Sequence, residues 1–130
     1  MNAPLFFLCQ DVRYSDDGRV DVIGLMDRLQ VGSVPTVVEP MQHVRLAIML
    51  RDYAGEPWMV RVVSASGEVR KFLGQGFAPR GGAQFRLVPL DGLVLDKAGS
   101  LTFEILNNEA VLARFSVDVV QAAASFAVSA

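Results

Sequence analysis

Apolar and polar residues alternate along most of this chain, and turn residues cut the alternation into short segments. Val44, Leu46, Ile48 and Leu50 alternate with Arg45, Ala47, Met49 and Arg51. Trp58, Val60 and Val62 alternate with Met59, Arg61 and Val63, and Leu101, Phe103 and Ile105 with Thr102 and Glu104. A period of two places one set on a buried sheet face and the other on the opposite face. The pattern predicts about eight strands, near 4–12, 19–25, 43–52, 58–64, 68–73, 84–90, 101–105 and 113–119, and no helix before residue 121.

Turn chemistry sets the order of these strands. Asp16-Asp17-Gly18 closes an N-terminal hairpin, because aspartate bonds its own backbone and glycine accepts positive φ. Gly24 marks a bulge, and residues 27–31 continue the sheet after a bend. Pro35 and Pro40 each remove a ladder donor, so 34–41 is an edge segment or a crossing loop between sheets. Ala54-Gly55 turns the chain, so that 58–64 returns beside 43–52; Ser66-Gly67 and Asn107-Asn108 are further hairpin turns. Residues 74–82, with four glycines, Pro79 and Arg80, form a loop. Trp58, Phe85, Phe103 and Phe115 are the expected aromatic core, with Phe85 and Leu87 inward. The fold class is all-β, a two-sheet antiparallel sandwich with a closed barrel as the alternative. One domain spans 1–120, followed by a small, weakly apolar tail, 121–130.

Composition changes the picture in one respect. Apolar residues make up 52% before 11 glycines are counted, and charged residues only 20%. Soluble domains carry about 45–50% with glycine included. Such a chain is expected to cover more surface than one copy can, which points to a homo-oligomer or to another protein as partner. A net charge of −2 gives no general pull toward nucleic acid or anionic lipid. The single cysteine, Cys9, excludes an internal disulfide and reads as a small core residue in a reducing compartment, so the cytoplasm is the default location. Residues 1–9 lack the basic start of a signal peptide, and bulky Leu8 precedes Cys9, so the segment reads as a first strand. No stretch approaches the roughly 18 apolar residues of a membrane helix.

Two stretches carry a resemblance. Cys9-Gln10-Asp11-Val12 runs on to Asp17-Gly18-Arg19-Val20-Asp21-Val22-Ile23-Gly24-Leu25-Met26-Asp27, and Gly99-Ser100-Leu101-Thr102-Phe103-Glu104-Ile105 leads into the last hairpin. Together they resemble a family of small uncharacterised bacterial and phage-associated proteins, a domain of unknown function. The resemblance implies an immunoglobulin-like or C2-like β-sandwich and supplies no catalytic residues.

No constellation of reactive groups stands out. His43 is the only histidine, and no G-x-S-x-G elbow accompanies it. A Cys9–His43 pair lacks the polar, accessible setting that a reactive thiol needs. Zinc would find one histidine and one cysteine. Asp16, Asp17, Asp91 and Asp96 lie on loops, where a C2-like sandwich could gather them around calcium, but Asp-Asp-Gly is also a plain turn. The expectation is therefore a non-enzymatic domain with no cofactor, the alternative being a loop-based binder of carbohydrate or calcium. Arg45, Met49, Arg51, Met59, Arg61 and Val63 are expected to share the face opposite the core. Arginine and methionine together are the composition of a protein interface. The competing reading of the arginines is cross-strand pairing with Glu104 and Asp118.

Overall fold

The computed structural model describes residues 1–67, 69–73 and 83–122. Twelve strands run in chain order: β1 Asn2–Cys9, β2 Asp11–Tyr14, β3 Val20–Ile23, β4 Arg28–Val31, β5 Thr36–Val37, β6 Arg45–Arg51, β7 Met59–Val63, β8 Val69–Leu73, β9 Ala83–Pro89, β10 Val94–Leu95, β11 Gly99–Asn107 and β12 Ala110–Gln121. A 3₁₀ turn, Pro40–Gln42, precedes β6. Among the described residues there is no α-helix.

Eight of the strands make the two larger sheets, in the orders β1-β6-β9 and β4-β12-β11-β7-β8. The others make two ribbons, β2-β3 and β10-β5. Pairing is antiparallel except between β12 and β4, which run parallel. Alternation explains the core. Leu8, Leu46, Ile48 and Leu50 come from the smaller sheet, and Leu29, Val31, Val60, Val62, Leu101, Phe103, Ile105, Val117 and Val119 from the larger; all belong to one buried cluster. Phe103 is fully buried and stacks on Phe115 with ring centroids 5.0 Å apart. Phe115 in turn meets Phe6 of β1 edge-on at 4.9 Å, which ties the two sheets together. Leu93 and Leu95, a short apolar patch in an expected loop, are buried in the same cluster.

Several expectations change. β6 and β7 do not pair: β6 lies between β1 and β9, and β7 between β11 and β8. The connection between them carries Tyr53 and Trp58, both buried in the core, and Asp52 at φ 56°. Two buried aromatics in so short a segment pull the chain across from one sheet to the other. Residues 28–31 likewise leave the first sheet and edge the second. The hairpin at Asp16–Gly18 does form, but only from β2, because the first strand breaks at Gln10 and its earlier part pairs with β6.

Phe85 is placed one face away from its expected position. β9 pairs with β6 so that Phe85 faces Met49 and Val88 faces Leu46. Val88, not Phe85, therefore packs against the main core. Phe85 and Leu87 lie half-buried on the outer face of the smaller sheet. The expected loop at 74–82, with Arg80, and residues 123–130 of the expected tail lie outside the described residues.

Candidate functional site

The outer face of the smaller sheet is more apolar than a solvent face. Cys9, Ala47 and Met49 are buried there, outside the main cluster. Tyr14 of the β2–β3 ribbon stacks on Phe85 with centroids 5.9 Å apart, so the ribbon lies against this face. Burial and the neighbouring Asp11 push the Cys9 thiol above its ordinary pKa, which makes it a packing group.

The six residues expected to form one interface are divided. Arg45, Met49 and Arg51 belong to β6 in the smaller sheet; Met59, Arg61 and Val63 belong to β7 in the larger. Met49 is only 7% exposed, flanked in register by Leu5 and Phe85. It cannot serve as an exposed contact. The shared face rested on β6–β7 pairing, which the two buried aromatics prevent.

Arg61 is engaged within its own sheet. Glu104 on β11 is opposite Arg61 on one side and Arg114 on the other. Arg61 Nε donates to Glu104 Oε1 at 2.9 Å and Arg114 Nε to Oε2 at 2.8 Å. Glu104 is 4% exposed, and the two guanidiniums hold its carboxyl below the usual carboxylate range. Beside it Thr102 and Ser116 share a hydroxyl contact at 2.8 Å. The cross-strand reading of the arginines therefore holds for Arg61 and Arg114, and Glu104 is their shared acceptor.

Arg45 meets His43 instead. Its Nη1 donates to the Gln10 carbonyl at 2.7 Å and lies 3.7 Å from Asp11 Oδ1, and its Nη2 donates to His43 Nδ1 at 3.3 Å. His43 sits in the left-handed region, φ 52° and ψ 51°, where the 3₁₀ turn ends. Gln10, Asp11, Ile23, His43 and Arg45 line an open pocket of about 340 Å³. Cys9 is buried in β1, whereas His43 follows the 3₁₀ turn beside Arg45.

The loop aspartates stay apart. Asp17 accepts from the Ser15 hydroxyl and the Arg19 N–H at the tip of the β2–β3 ribbon, a turn-forming role. Asp96 accepts from Ser66 Oγ at 2.5 Å, which lowers its pKa. Among the described residues no three potential metal ligands cluster.

A second cleft lies elsewhere, and the periodicity gave no sign of it. Its volume is about 450 Å³, and one wall is the unbroken run Leu25, Met26, Asp27, Arg28, Leu29, Gln30 and Val31. Val38, Val44 and Leu95 form an apolar floor, with Gln10 and Gln42 at the rim. β4 is the end strand of its sheet, so this cleft follows a strand edge. Leu25, 70% exposed, stands at the mouth, and Met41, 88% exposed, follows in the 3₁₀ turn next to Gln42. Parallel pairing to β12 uses the backbone of alternate residues. The Val31 carbonyl accepts from Ala122 N–H at 2.8 Å on the β12 side, so Arg28 and Gln30 turn their backbone groups to the opposite edge, where no described strand pairs.

The comparisons with known proteins support the resemblance as far as a domain of unknown function. A family of unknown function (DUF6941) matches residues 4–120. The chain belongs to that family. No curated protein and no solved structure matches it. In this DUF6941 protein the matched span holds every strand but the first residues of β1 and the last of β12. Among the described residues no helix is long and apolar enough to cross a membrane.

Proposed function

We propose that this DUF6941 protein is a non-enzymatic protein-interaction domain that self-associates in the cytoplasm, on a two-sheet sandwich scaffold of immunoglobulin-like or C2-like type. The observation that carries the reading is the cleft beside β4, the end strand of its sheet among the described residues, with buried Val38, Val44 and Leu95 beneath a polar rim. An exposed strand edge offers backbone donors and acceptors to any extended segment, and pockets beside it take alternate side chains. Here the backbone of Arg28 and Gln30 supplies the first, and the floor of Val38, Val44 and Leu95 supplies the second. The rim is neutral: Asp27 and Arg28 pair at 3.9 Å, and the remaining polar lining residues are glutamines. The matching ligand class is an uncharged extended peptide with apolar side chains two apart. Titrating a (Val-Ser)₄ peptide into the labelled protein is expected to shift the amide resonances of Arg28, Gln30 and Leu25. Unchanged resonances there, with the peptide in large excess, would reject the cleft as the interaction site.

A further inference from the structure

We propose that the β2–β3 ribbon is a flap, hinged at Gln10 and Gly24, that swings as one piece off the outer face of the smaller sheet and uncovers the apolar layer of Cys9, Ala47 and Met49. The ribbon is internally complete. Its ladder pairs Val12 with Val22 and Tyr14 with Val20. Its tip is closed by Ser15 N–H on the Arg19 carbonyl at 2.9 Å and Gly18 N–H on the Ser15 carbonyl at 3.0 Å. The chain is anchored on both sides of it. Cys9 pairs with Arg45 in the β1–β6 ladder, and Met26 N–H donates to the Leu8 carbonyl at 2.8 Å. A swing is therefore taken up between these anchors, at the bend of Gln10 and at Gly24. Gly24 has φ +64°, where glycine has the backbone freedom that a hinge uses.

The described contacts hold this flap down lightly. At its tip Tyr14 stacks on Phe85, yet Tyr14 stays 52% exposed. Val12, Tyr14, Val20 and Val22 share the ribbon face that meets the sheet, and Val22 is still 42% exposed. At its base the pocket of about 340 Å³ lies between Gln10, Asp11 and Ile23 on the ribbon side and His43 and Arg45 on the β6 side. Arg45 spans that gap to the Gln10 carbonyl and to Asp11. An ion pair as exposed as this one adds little, and a two-stranded ribbon is marginal by itself. The sheet beneath is fixed differently, with Leu46, Ile48 and Leu50 wholly enclosed in the core. Lifting the ribbon leaves that core intact, so it costs less than unfolding the domain, which is the condition for a local opening. Phe85 pairs with Met49 across β9 and β6, so loss of the Tyr14 stack opens the outer layer at Met49 first.

Native-state hydrogen exchange and maleimide labelling of Cys9, both on the full chain, test the flap. Amides of β2 and β3 are expected to exchange at least tenfold faster than those of β6 and β11, and Cys9 to be labelled faster than global unfolding permits. Two kinds of variant separate flap opening from unfolding. Tyr14→Ser removes the stack at an exposed site and is expected to speed ribbon exchange and Cys9 labelling at least tenfold. Ile105→Val thins the core in β11, far from the ribbon. It lowers the closed and flap-open states alike against the unfolded chain, so it is expected to speed β11 exchange severalfold and to leave the ribbon amides and Cys9 labelling unchanged. Arg45→Met, which keeps the side-chain stem and removes the base contact, serves in place of Tyr14→Ser if that variant fails to fold, with the same acceleration expected. Ribbon amides as protected as those of β11, Cys9 labelling that follows Ile105→Val, or labelling that Tyr14→Ser leaves unchanged would each overturn the flap.

Discussion

At the scale of single residues, burial and pairing decide what each substitution does. Phe103 is fully enclosed between sheets, so Phe103→Ala leaves a cavity and is expected to cost about 3–5 kcal/mol in urea unfolding. Met49→Lys is expected to unfold the protein and not simply to alter its surface. Its side chain is enclosed beneath the β2–β3 ribbon side of the smaller sheet, and a lone buried ammonium costs roughly 3 kcal/mol or more. A Met49→Lys variant that melts with the parent would place that side chain in solvent. Glu104 makes the fold sensitive to acid. Its carboxyl pKa is depressed by Arg61 and Arg114, so its contribution is complete above the unfolded value of about 4.3 and is lost as pH falls through the lower folded value. Denaturation midpoints taken from pH 6 downward are expected to fall less steeply in Glu104→Gln than in the parent, and the variant is expected to be the less stable at pH 6, since a neutral amide leaves both guanidiniums without their anion.

At the scale of elements, the break at Gln10 is what separates β1 from the β2–β3 ribbon. Gln10 N–H is shared between the carbonyls of Ile23 and Gly24, at 3.0 and 3.1 Å, and the Gln10 side chain packs over Gly24. Gly24 has φ +64°, and a Cβ there would stand 2.7 Å from Gln10 Cγ. Gly24→Ala is thus expected to cost about 1–2 kcal/mol from the backbone alone, with resonance changes concentrated in β2 and β3. Changes spread evenly over both larger sheets would show that the ribbon is not a separate element. The alternating segments at 43–52, 58–64 and 101–105 were legible as strands because each has one face in the core. Phe85 was not, because β9 carries apolar residues on both faces: Val88 meets the core while Phe85 and Leu87 meet the ribbon side. With both faces apolar, alternation cannot say which is inside.

At the scale of the whole molecule, the far-ultraviolet spectrum is expected to be that of strands, with a helix fraction below about a fifth; a larger fraction would contradict the sheet assignments. The apolar excess in the composition has two homes in the structure. Part lies in a second buried layer, Cys9, Ala47 and Met49, beyond the main core. Among the described residues more is exposed, including Leu5, Tyr14, Val22, Ile23, Leu25, Val37 and Met41, of which Leu25 lines the β4 cleft. The sequence by itself determined strand class, most strand positions, and the Asp16–Gly18, Ser66-Gly67 and Asn107-Asn108 turns, since these depend on neighbours in the chain or on side-chain period. Only the tertiary structure decided which strands lie side by side, that β6 and β7 belong to different sheets, and that β4 ends its sheet beside an open cleft. Those depend on contacts between residues far apart in sequence, where Tyr53 and Trp58 choose the core over a hairpin, and alternation within one segment carries no information about its partner.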